Sequence, residues 1–238
     1  ASASSSGAKA CPKRAISSGD WDSLPTISTN LALVSFRLGD WRQAHRHAVE
    51  AERGFRQNGQ AQDLAWALVA RATIEAASGD LVAAQRAAME SQRLAEGVGA
   101  RLAELDARTA LGFVALCAGD HRAAASGLGV ALDDLMTQGY LDPSPLFALP
   151  DWAESLVALD RAAEVRDRLD AYERAARRLD RPSARAAALR VRGLVATGAG
   201  DQQAADDAFE GALAQHDRIP EPFERGRGKA SVLHAVVG

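Results

Sequence analysis

The sequence predicts an all-α protein built from about five stacked helix hairpins that repeat every ~40 residues. Three observations predict it. The dipeptide Gly-Asp recurs at Gly39-Asp40, Gly79-Asp80, Gly119-Asp120 and Gly200-Asp201, three copies 40 residues apart and the fourth 81 beyond the third. Small and branched residues keep fixed offsets from those glycines. Alanine dominates an apolar fraction of 47% while aromatics make up only 5%. Alanine is the best helix former and too small to fill a thick core, so such a chain suits thin layers of closely approaching helices.

Each hairpin follows from the same local chemistry. The Gly ends one helix by taking the left-handed conformation without steric cost. The Asp after it caps the next helix by accepting an amide hydrogen bond. Seven residues before the Gly come Ala32, Ala72, Gly112 and Gly193, and five after it come Ala44, Ala84, Ala124 and Ala205. A very short turn forces the two helices antiparallel, so these small residues face one another where the backbones meet. The branched residues Val34, Ile74, Val114 and Val195, five before the Gly, supply bulk beside that contact. Ala51, Ser91, Ala131 and Ala212 recur twelve after it. Leu159-Asp160 stands as a degenerate copy in the gap. Each hairpin leaves an apolar face that the next one covers.

Two places interrupt the rhythm. The run from Gly139 to Pro150 holds three prolines and loops before the fourth hairpin. Within it Ser144-Pro145 offers a helix start, and Pro150 either kinks that helix or opens a shorter one. The fifth hairpin ends at Ile219-Pro220-Glu221-Pro222. Beyond Arg225, Gly226 and Gly228 each weaken a helix by about 1 kcal/mol relative to alanine. The expected organisation is therefore a linker or vector-derived remnant over 1–18, one array over 19–225, and a truncated or poorly ordered segment over 226–238. The Ser- and Ala-rich start lacks the apolar stretch of a signal peptide, and the absence of an initiating Met suggests a piece of a longer protein.

A net charge of −3 argues against a nucleic-acid footprint for this chain. No apolar run approaches the roughly 18 residues of a membrane span. Cys11 and Cys117 are two distant thiols, as in a reducing compartment, so a cytoplasmic location is expected.

The small residue, Gly turn, Ala at plus five and Ala at plus twelve together resemble the tetratricopeptide repeat, and Leu111-Gly112 reproduces its Leu-Gly pair. The period exceeds the standard 34 residues of that repeat. Arrays with the longer period resemble the region found in bacterial LuxR-type large ATP-binding transcription regulators. The likeness rests on Gly19-Asp20-Trp21-Asp22-Ser23-Leu24-Pro25, Leu149-Pro150-Asp151-Trp152-Ala153-Glu154, Arg174 to Pro182, and Pro222-Phe223-Glu224-Arg225. It covers Gly19 to Arg225 and implies a tetratricopeptide-like superhelical solenoid. The resemblance also implies a sensor segment that relays occupancy to nucleotide-binding and DNA-binding modules outside this chain. The alternative is a free-standing scaffold for protein–protein interaction.

No catalytic constellation accompanies the repeat. Gly228, Lys229 and Ser231 lack the spacing of a phosphate loop, since Phe223 and Ala230 hold two of its key places. His45 and His47 point about 200° apart on a helix and cannot share a metal. Asp133-Asp134 and Asp206-Asp207 belong to solvated helix faces, and Arg177-Arg178 with Arg181 is interleaved with acids. No enzyme activity, metal or cofactor is expected. What exceeds a packing role is the inward face of the first helices, where Leu33, Phe36, Leu116 and Leu194 accompany a candidate groove. That groove comprises Phe36, Arg37, Trp66, Thr73, Asp106, Thr109, Phe113 and Arg190. Trp66 and Phe113 are its expected anchors, and Arg37 or Arg190 would orient an acidic group. The expected partner is a protein, a peptide or a small-molecule inducer; self-association stays open.

Overall fold

The computed structural model describes residues 23–137, 148–219 and 221–237, with side-chain surroundings given as far as Ser231. The expected linker 1–18, the Gly19–Asp22 phrase, Cys11 and the Ser144-Pro145 helix start lie outside these residues.

Among the described residues eleven α-helices follow one another: α1 Leu24–Arg37, α2 Trp41–Asn58, α3 Ala61–Ala77, α4 Leu81–Val98, α5 Arg101–Cys117, α6 His121–Thr137, α7 Ala148–Ala158, α8 Arg166–Arg178, α9 Pro182–Gly198, α10 Gln202–His216 and α11 Pro222–Val237. A 3₁₀ turn, Ala162–Val165, leads into α8. Among the described residues there is no strand, and no helix is long and apolar enough to cross a membrane. Each helix packs on its neighbours in sequence, and the odd-numbered helices α1, α3, α5, α7, α9 and α11 also pack successively on one another.

The turns are built as the sequence chemistry requires. Gly39, Gly79, Gly119 and Gly200 have φ of 83°, 90°, 76° and 76°. The following Asp40, Asp80, Asp120 and Asp201 accept amide hydrogen bonds from Gln43, Ala83, Ala123 and Ala204 at 2.9–3.1 Å. In the degenerate copy the left-handed residue is Asp160, with φ of 58°, one position later than Leu159. Asp tolerates that conformation through its short polar side chain. A second set of left-handed turns joins the hairpins at Gly59, Gly99 and Asp180. The reversals therefore come roughly every 20 residues, half the period read from Gly-Asp.

Most of the small-residue offsets are core. Ala32, Ala44, Ala72, Ala84, Ala124 and Ala205 are each 0% exposed. Ser91 occupies the plus-twelve position of its repeat and stays buried by donating its hydroxyl to the Ala65 carbonyl at 2.7 Å. One offset behaves differently. Ile74 and Val114 are buried, but Val34 is 52% exposed. Ile74 packs against Ala44 and Ala48 of the preceding hairpin, whereas no earlier hairpin precedes α1 among the described residues.

The C-terminal segment departs from expectation. Pro222–Val237 forms a helix through both glycines, where a truncated or poorly ordered segment was expected over 226–238. Its anchoring is tertiary. Phe223 packs on Phe36, Trp41 and Phe113 with ring centroids 5.3, 5.9 and 6.5 Å away. Pro222 lies so close to Gly39 that a Cβ there would come within 2.6 Å of the proline ring. The last helix thus reaches back to the first hairpin. Pro150 sits in the first turn of α7, where its missing amide costs no hydrogen bond, and so opens the shorter helix.

Candidate functional site

The inner faces of α1, α3, α5 and α7, closed by the start of α11, surround a cavity of about 480 Å³. Its walls repeat. From α3 come Trp66, Val69, Ala70 and Thr73, and from α5 come Asp106, Thr109, Ala110 and Phe113. These two sets hold equivalent positions of successive repeats, each running i, i+3, i+4, i+7 along one helical stripe. The turn of α1 nearest the cavity adds Asn30, Leu33, Phe36 and Arg37. Glu221, Phe223, Glu224 and Arg227 complete the wall from α11 and the residue before it, and Asp151 contributes from α7.

Seven candidate groove residues come together here: Phe36, Arg37, Trp66, Thr73, Asp106, Thr109 and Phe113. Arg190 does not join them. It is only 2% exposed and donates to Glu154 at 2.6 Å, so it cannot orient an acidic group in the cavity. Its Nε and Nη2 are buried with no partner among the described residues. Leu116 and Leu194, also read as inward-facing, are not among the lining residues.

One wall of the cavity is ionic. Arg227 donates to Asp151 at 2.6 Å and to Glu154 at 2.7 Å, and Glu224 lies 3.4 Å away. Burial would oppose ionisation of Glu154, yet Arg190 and Arg227 hold its carboxyl down at about 2. Burial pushes Asp151 up to about 6 against the pull of Arg227. The guanidinium of Arg227, although desolvated, keeps its proton more firmly than usual because of these carboxylates. Burial likewise raises Glu221, with Arg37 opposing.

The wall that α5 supplies differs. Asp106 has no hydrogen bond or ion pair among the described residues, and burial alone pushes its carboxyl up to about 6. The Thr109 hydroxyl, one turn along the same helix, is buried without a partner. Thr73 returns its hydroxyl to the Val69 carbonyl at 3.0 Å.

Other sequence candidates stay apart from the cavity. His45 approaches Glu75 and His47 approaches Glu50, and no group of three metal-ligating side chains occurs among the described residues. Asp133 pairs with Arg168, and Asp134 with Arg101 at 2.6 Å, so this carboxylate pair ties α6 to its neighbours. Asp206 and Asp207 accept from Gln202 and Gln203 on their own helix. Arg177 pairs with Glu173 on α8.

What sequence reading missed is the occupant of the groove. Phe223 and Arg227 close it, and their signal was an aromatic and a guanidinium four apart on a helix with one glycine, Gly226, between them. No protein-family model matches this chain, and no curated protein matches it in sequence.

Proposed function

We propose that this chain is a ligand-binding segment of the tetratricopeptide-like superhelical type, acting as the sensor of a transcription regulator. Four hairpins sharing residue types at fixed offsets, and first helices packed on one another, support the solenoid reading. The observation that carries the function is that the last helix lies in the groove and leaves a 480 Å³ chamber. Chambers of this size suit small molecules with one apolar body and few polar contacts. A groove occupied by the chain's own helix has little room for a partner peptide, which favours a small-molecule inducer over the free-standing scaffold.

The relay is then α11 itself. It forms part of the chamber wall through Phe223, Glu224 and Arg227. A ligand that prefers one position of α11 shifts its population, and downstream nucleotide-binding and DNA-binding modules would read that shift. The chain itself is read as non-enzymatic and as making no direct contact with DNA.

Ligand-observed NMR with a mixture of small apolar fragments tests this reading. Fragments that bind the wild type and lose binding in Trp66→Ala and Phe113→Ala, with the helical circular dichroism of both variants retained, support it. Binding unaffected by both variants, or no binding by any fragment, would refute it.

A further inference from the structure

We infer that the chamber is selective for an organic cation, an ammonium on an apolar body, with Asp106 as its counter-ion. The inference rests on the reading of the chamber as a ligand site and names the ligand's chemistry.

The first argument is the charge of the walls. Asp106, Asp151, Glu221 and Glu224 face the chamber against two cations, Arg37 and Arg227. Arg227 is already committed to Asp151, Glu154 and Glu224. An anionic ligand would enter an acidic chamber whose most buried guanidinium is taken, whereas a cation relieves the excess of negative charge.

The second argument is that Asp106 lacks a partner. A carboxylate in an apolar wall is costly unless paired, and nothing in the fold pairs it. Of the other acids lining the chamber, Asp151 is paired with Arg227 at 2.6 Å, while the Oε2 of Glu221 has no hydrogen-bond partner among the described residues. The Thr109 hydroxyl on the same stripe is buried without a partner among the described residues, and a turn of its side chain towards the chamber would let it accept a second N–H from an ammonium. Asp106 and Thr109 are thus two polar groups on one helical stripe that the fold leaves without partners among the described residues.

The third argument is the surroundings. Trp66 stands at the same repeat position as Asp106, one repeat earlier, and Phe113 lies two turns along α5. Aromatic faces hold the apolar body of such a ligand and favour a cation beside them.

Isothermal titration of the full chain at neutral pH with three matched probes, phenylbutylammonium, phenylbutanol and phenylbutyrate, tests this. The ammonium is expected to bind about ten- to a hundredfold more tightly than the alcohol, and the butyrate most weakly. In Asp106→Asn, checked for folding by circular dichroism, the preference for ammonium over alcohol is expected to collapse to within about threefold. Equal binding of ammonium and alcohol, or a preference for butyrate, overturns the inference and leaves the chamber reading intact. A preference that persists in Asp106→Asn removes Asp106 as the counter-ion. Failure of all three probes to bind overturns both.

Discussion

Gly112 lies directly against Leu128: a Cβ on Gly112 would come within 2.4 Å of the leucine Cγ. The same pair of repeat positions holds Gly193 and Phe209, where a Cβ would meet the phenyl ring at 2.4 Å. In the first two hairpins these positions hold Ala32 with Ala48 and Ala72 with Ala88, all buried. The helices of a hairpin thus accept either two alanines or a glycine facing a large side chain.

Gly112→Ala is expected to cost about 1–3 kcal/mol by overpacking against Leu128, and Leu128→Ala about 2–5 kcal/mol by leaving a cavity. The double variant recreates the Ala–Ala arrangement of the first two hairpins, so its cost should fall below the sum of the two singles. Denaturant midpoints of the four proteins measure the coupling. Simple additivity would show that the two side chains do not share space.

Ala124 is fully buried where α5 meets α6, and Ala124→Leu is expected to lower stability by about 1–3 kcal/mol. Because neighbouring hairpins share interfaces, hydrogen exchange should quicken in α5 through α7 before the far ends of the array. An unchanged denaturant midpoint would contradict the offset argument.

Asp106 gives a pH signature. Its carboxyl ordinarily titrates near 3.8 and is pushed up to about 6 in the folded chain. The folded state therefore binds the proton more readily, and this group's contribution to stability falls as pH rises from about 4 to about 6. Asp106→Asn should be more stable than the wild type at about pH 8, by up to about 3 kcal/mol, with the gap closing towards about pH 4. The other charges facing the chamber, Arg37 on α1, Asp151 on α7 and Glu221, Glu224 and Arg227 at α11, are shared by both proteins and cancel in the difference. A gap independent of pH would mean that Asp106 is not desolvated.

Removing Arg227 leaves Asp151 buried without its cation, while Glu154 keeps Arg190 at 2.6 Å. Arg227→Met is expected to cost about 3–5 kcal/mol at neutral pH. Much of that loss should be recovered by adding Asp151→Asn, which removes the stranded charge. Thermal melts of the single and double variants check this, and a double variant no more stable than the single would contradict the pairing.

The turns were legible because their chemistry is local. Gly39 and Asp40 carry both the left-handed conformation and the cap within two residues, and no distant contact is needed to recognise them. Gly59 and Gly99 carry half of the same signal, without the Asp, and so the second set of reversals escaped notice. Asp160 took the place of the missing glycine one residue later than Leu159 because Asp can adopt a positive φ.

The inward stripe was legible for the same reason. Trp66, Asp106, Thr73 and Phe113 stand at matching offsets from their turns, and helical periodicity turns matching offsets to one side. Arg190 was misjudged because its partner, Glu154, lies 36 residues away on another helix. The last helix was misjudged because Gly226 and Gly228 speak only for local propensity. Long-range contacts of Phe223 and Arg227, invisible to spacing, outweigh that penalty.

The seating of α11 in the groove is tested most directly by through-space proton NMR between aromatic rings. Cross-peaks from the Phe223 ring to the rings of Phe36 and Trp41 are expected, since the ring centroids lie 5.3 and 5.9 Å apart. Cross-peaks between Phe36 and Trp41, at 6.2 Å, serve as the internal reference within the first hairpin. Reference peaks without any from Phe223 would place α11 outside the groove, and the closed chamber would not exist.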